Sequence, residues 1–118
     1  MRILRLNNDL CELAEIGDEL EDMLAELKAV RISFHQLNKT LALLAVGDFS
    51  RVMSTKNEPA TALLNHFQKN KKFVHGSRIS GKAFLCTIND TRTFVSLTDE
   101  DYEAAAKILR SYGYVKGD

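Results

Sequence analysis

NEPATALLNHFQKNKKFVHGSRISGKAFLCTINDTRTFVSLT, residues Asn57 to Thr98, is the stretch on which the fold turns. Pro59 suits the first turn of a helix, with Asn57 or Glu58 as its cap. Ala60, Leu63, Leu64 and Phe67 then recur at i, i+3, i+4 and i+7, which predicts an amphipathic helix over 59–71. The side facing away from that stripe holds Thr61, Ala62, Asn65, His66 and Lys69. After Lys72 the period changes. Phe73 to Ile79 is weakly strand-like, Ser80-Gly81 offers a tight turn, and Ala83 to Ile88 puts Phe84, Cys86 and Ile88 on one face. Asn89-Asp90 marks a hairpin, and the chain returns over Arg92 to Leu97.

Outward from this stretch, the C-terminal side is strongly marked as a helix over 99–112. Thr98 is its N-cap, Asp101 the capping-box partner and Leu97 a staple onto Tyr102, while Gly113 ends it. On the N-terminal side, Ser33 and Gln36 fit a second capping box, with Ile32 stapling onto Leu37. This predicts a helix from Ser33 to Val46, stopped by a left-handed Gly47. A short helix is expected over Phe49 to Ser54.

Further back, Asp9 and Glu12 fit a capping box for a long helix over 8–30. Leu6, Leu10, Leu13, Leu20, Leu24 and Leu27 follow a four-three spacing along it, and Glu12, Glu15, Glu19, Asp22 and Glu26 occupy the other side. A seam of that kind, on a helix about 35 Å long, belongs against another helix. Leu10, Leu13, Leu20, Leu24 and Leu27 are therefore expected to make a homodimer contact. Taken together, the elements predict an α+β, mainly α fold. Its core over 32–98 would hold three helices and a two- or three-stranded antiparallel hairpin or meander.

Size bounds the organisation: 118 residues, 45% hydrophobic and 27% charged, suit one ordinary globular domain. The net charge is zero but unevenly placed. Residues 1–30 carry three basic and eight acidic side chains, residues 31–82 nine and two, and residues 83–118 four and six. The basic middle is what would steer a polyanion. Cys11 and Cys86 are too few for a disulfide framework, and they read as small core side chains of a reducing compartment. Met1 to Leu6 runs straight into Asn-Asn-Asp, without a signal-peptide apolar region, and Leu41 to Val46 is too short to span a bilayer. A cytoplasmic protein without a membrane partner is expected.

The order of long helix, capped helix, short helix, basic helix, hairpin and terminal helix resembles the MarR and SarA families of winged-helix transcription regulators. The wing of those families often carries Asp-x-Arg before a strand ending in Val-x-Leu-Thr, and here Asp90-Thr91-Arg92 precedes Val95-Ser96-Leu97-Thr98. The resemblance covers about residues 32–112. It implies that 33–46 opens the core, that 59–71 is a recognition helix in the major groove, and that terminal helices make the dimer.

The residues themselves point the same way. The outer face of 59–71 carries donors and a cation without an acid, as base edges and phosphates require. Thr61, Asn65, His66 and Lys69 are the expected groove residues, and Lys71, Lys72, Arg78, Lys82 and Arg92 the phosphate contacts. The expected function is a dimeric regulator of double-stranded DNA with no cofactor. The alternative is a small protein-interaction module, an adaptor or a mobile-element inhibitor, using its segregated acidic and basic faces.

Enzyme function is not expected. Gly76 to Lys82 has the spacing of a phosphate-binding loop, but Ala83 stands where a Mg²⁺-binding hydroxyl is needed and a strand follows instead of a helix. His35, His66, His75 and Cys86 show no metal-ligand spacing, so no metal is expected.

Overall fold

The computed structural model describes residues 1–48, 54–68 and 78–116. Two hairpins open the chain where helices were expected. Strands β1 (Arg2–Arg5) and β2 (Glu12–Glu15) form the first, helix α1 (Leu20–Leu27) follows, and β3 (Ile32–Gln36) and β4 (Leu41–Val46) form the second. Helix α2 (Glu58–Gln68), the hairpin of β5 (Ala83–Ile88) and β6 (Phe94–Val95), and helix α3 (Asp99–Ser111) complete the described chain. The result is an α+β domain with three helices on a six-stranded antiparallel sheet of order β2-β1-β5-β4-β3. The sheet does not close into a barrel. Strand β6 pairs the far half of β5, on the edge that β1 pairs at the near half. Among the described residues no helix is long and apolar enough to cross a membrane.

Register explains which side chains go where, because successive residues of a strand face opposite sides. On one face Leu4, Leu41, Leu43, Ala45 and Leu85 pack against α2 and α3, through Ala60, Leu63, Leu64, Ala105 and Leu109. On the other, Ile3, Ala42, Leu44, Phe84, Cys86 and Ile88 lie under Met23 and Leu27 of α1. With helices on both sides, β4 and β5 are buried at every position. That is why LALLAV reads as a continuous apolar run instead of an alternating one.

Three sequence expectations need correction. The helix over 8–30 is a strand, a loop and a short helix, so its leucine seam does not exist as one surface. Leu13 lies on β2 at 47% exposure, Leu20 starts α1 at 62%, and Leu27 is a core residue at 1%. The acidic side is not simply solvated either, since Glu26 forks onto Arg5 of β1 at 2.8 and 2.9 Å and ties α1 to the sheet.

The helix over 33–46 is the β3–β4 hairpin, so the fold is built on a sheet and is not mainly helical. Asn38 closes its turn, its Oδ1 accepting from the N–H groups of Thr40 and Leu41 at 2.9 and 2.8 Å. Gly47 does not act as a left-handed stop. A Cβ there would lie 2.8 Å from the backbone of Ile32 and Ser33, so the close approach of β3 requires glycine. The short helix expected over Phe49 to Ser54 and the strand-like run from Phe73 fall almost wholly outside the described residues. At the latter's end, Ser80 bridges Lys56 in antiparallel fashion.

The C-terminal half follows its local signals. Asn57 caps α2, accepting from the Ala60 N–H at 3.1 Å, so Glu58 comes first and Pro59 second in the helix. Thr98 caps α3 through the Asp101 N–H at 3.2 Å. Gly113, at φ +82°, ends it with Tyr114 N–H on Leu109 C=O and Gly113 N–H on Arg110 C=O, the paired bonds of a Schellman motif. The Asp101 carboxylate does not return the capping bond. It is buried and accepts instead from the hydroxyls of Thr40 (2.8 Å) and Thr87 (2.6 Å), while the Thr98 N–H donates to Thr87 Oγ1. One carboxylate thus joins α3 to the β3–β4 turn and to β5.

Candidate nucleic-acid interface

Segments 54–57 and 79–82 run side by side. Asn57 N–H donates to Ile79 C=O at 2.8 Å, Gly81 N–H to Thr55 C=O at 2.9 Å, and the buried Asn57 amide donates to Leu6 C=O and Gly81 C=O. Such a fully bonded amide fixes both segments, since a buried polar group left unpaired would be costly. Opposite them lies the C-terminal end of α1, where Lys28 takes the left-handed conformation at φ 52°. Between these walls is a groove of about 460 Å³, lined by Asn8, Lys28, Ser54, Thr55, Lys56 and Lys82 among others.

Among the described residues, three lysines and no carboxylate line this groove. Lys56 Nζ is 3.6 Å from Glu58, a half-exposed pair that leaves much of its charge to solvent. Among the described residues, Lys28 and Lys82 form no ion pair. Like charges gathered on one concavity repel, and that repulsion falls when an anion lies between them.

The described residues among those expected from the sequence lie in several different surroundings. Thr61 is 5% exposed. Its hydroxyl accepts from Ile79 N–H at 2.9 Å and donates to Ile79 C=O, so it staples α2 to the 79–82 segment and does not reach a groove. Asn65 is partly exposed and His66 exposed on α2. Lys69, Lys71 and Lys72 lie outside the described residues. Lys82 lines the lysine groove, and Arg78 faces a separate cavity beside β3.

Arg92 sits at the β5–β6 hairpin tip at φ 64°. Strand β5 lies between it and Lys82, a span of about 20 Å. The Asn89–Thr93 turn that holds it is closed by Asn89 Oδ1, which accepts from the N–H groups of Thr91 (3.1 Å) and Thr93 (2.9 Å).

Lys28 and Lys56 had no signal in the sequence, because tertiary packing alone brings them beside Lys82. Among the expected dimer residues, Leu10, Leu13 and Leu20 are exposed, Leu24 is partly buried, and Leu27 is inside. No family model, curated protein or solved structure matches the chain, so its function is argued from residues and geometry alone.

Proposed function

We propose that this protein is a nucleic-acid-binding regulator that seats the phosphate backbone of double-stranded DNA in the Lys28–Lys56–Lys82 groove. The observation that carries the proposal is the gathering of three lysines, from three separate parts of the chain, around one concavity that no carboxylate lines among the described residues. Phosphates bind there through charge, with the Thr55 hydroxyl beside them, while the Asn8 amide braces the wall through Lys56 C=O and Glu58 N–H. Such contacts position a duplex without reading its sequence. Any base reading falls to side chains near the groove mouth, and Thr61, being inward, is not one of them. Neutralising three phosphates gives a slope of about −2.7 in log affinity against log salt. A gel-shift or anisotropy series across salt tests this, and absence of binding at low ionic strength refutes it.

A second reading, a protein-interaction module, is favoured by a different observation. Val30 is 78% exposed and Leu20 62%, and β3, with Phe34 at 37% exposure, is the end strand of the sheet among the described residues. Exposed apolar side chains beside an end strand suit strand addition by a partner, including a second copy of this chain. Sedimentation of the purified protein with and without duplex separates the two. A stable dimer or a stoichiometric protein partner, together with no DNA binding, favours the module.

A further inference from the structure

Behind the basic segment, on the α2 side of the sheet edge, a second cavity of about 280 Å³ is enclosed by β3, the end of α2 and residues 78–80. Ser33 and His35 alternate on β3, so both point to this side, with Ser33 Oγ 2.9 Å from His35 Nε2. The facing wall carries Arg78 and Ser80, with Arg78 Nε donating to Ser80 Oγ at 3.0 Å. Ser80 is 7% exposed, and Ala45 and Leu64 supply apolar floor. Among the described residues no carboxylate lines the cavity.

The geometry points to a binding site for a small phosphate monoester. Arg78 makes no ion pair among the described residues, and its Nε is held by Ser80. Its two terminal nitrogens therefore remain for a bidentate contact with an oxyanion. Ser33 contributes a hydroxyl from the other wall, where it is bonded to His35 Nε2. Two hydroxyls and a guanidinium match three phosphate oxygens better than the two of a carboxylate. The volume is near the lower end for ligand pockets, about 300 Å³, so the ligand is a bare phosphate or a short phosphorylated metabolite. Ser80, which closes this cavity, also bridges Lys56 through its backbone. The site thus shares a wall with the lysine groove, yet its occupancy does not depend on the groove binding DNA.

The test is a titration of the ¹⁵N-labelled full chain with glycerol 3-phosphate and with inorganic phosphate, at low ionic strength and without nucleic acid. Saturable shifts should centre on Ser33, His35, Arg78 and Ser80. Arg78→Gln should weaken binding about tenfold or more, and Arg78→Lys should restore it only in part, because the charge returns but the fork does not. Ser33→Ala, which removes one hydroxyl from a strand edge, should weaken binding severalfold with the same thermal midpoint. A 10-base-pair duplex should leave the glycerol 3-phosphate affinity unaltered within twofold. The proposal is overturned if no saturable shift occurs. It is overturned equally if shifts centre on Lys28, Lys56 and Lys82 and survive Arg78→Gln, or if the duplex displaces the small ligand from these residues.

Discussion

Replacing Asp101 by alanine should be among the most damaging single changes in the C-terminal half. The carboxylate is 4% exposed and accepts two hydroxyl bonds, 2.6 Å from Thr87 and 2.8 Å from Thr40. Hydrogen bonds to a charged group contribute about 1.5–3 kcal/mol each. Thr40 is solvent-exposed and regains water when its partner goes, so its share falls toward zero. Thr87 is 5% exposed and keeps only its bond from the Thr98 N–H.

A net loss of about 3 kcal/mol follows, from a total that for a domain this size is about 5–15 kcal/mol. In thermal terms that is about 10 °C. Asp101→Asn keeps one acceptor and the shape, so it should cost about half as much. Urea unfolding followed by circular dichroism, with midpoints compared at a common slope, measures both. A double-mutant cycle with Thr87→Val should return a coupling of about 1.5 kcal/mol or more. A cost for Asp101→Ala under about 1 kcal/mol, or a coupling near zero, would refute the view that this carboxylate ties α3 to the sheet.

Two further outcomes rest on separate features. Arg92→Gly should stabilise the protein by about 0.5–1 kcal/mol, because φ 64° strains any side chain with a Cβ; a loss of stability in urea unfolding would show that the arginine makes a compensating contact. Burial pushes the Cys11 thiol up to about 11, and burial, with a smaller contribution from nearby Asp101, pushes Cys86 up to about 12. Both folded values lie above the unfolded 9.0, so this stability is complete below pH 9 and is lost as pH rises toward 11–12. Each thiol should contribute a fall of about 1.4 kcal/mol per pH unit in that window. Urea unfolding at pH 8 and 10.5 should show a shallower fall in Cys11→Ala/Cys86→Ala, and an identical fall would contradict the assignment.

How much of this was legible depended on whether the signal was local. The Thr98 cap, the Leu97–Tyr102 staple and Gly113 fix α3 within a few residues, and the Asn89-Asp90 turn that follows Ala83 to Ile88 marks β5. The N-terminal half misled because its leucine spacing satisfies a helix and also a strand, a loop and a short helix in succession. Leu41 to Val46 misled for another reason: a strand covered on both faces loses its alternation and cannot be told from a buried helix by period. The turn Asn38-Lys39-Thr40 was the available signal, since it repeats Asn89-Asp90-Thr91 and closes its hairpin by the same side-chain oxygen. Of the candidate groove, Lys82 stood in a visibly basic run. Lys28 and Lys56 are 28 positions apart and meet only through sheet packing.

The most direct test is duplex binding by Lys28→Glu/Lys56→Glu/Lys82→Glu, measured by fluorescence anisotropy at low salt beside its thermal midpoint. The lysine groove predicts that affinity falls by at least about a hundredfold, since removal of three phosphate contacts is compounded by repulsion. The midpoint should stay near that of the parent, because all three side chains lie on the surface. Unchanged affinity in a folded variant would contradict the claim that this groove holds the phosphate backbone.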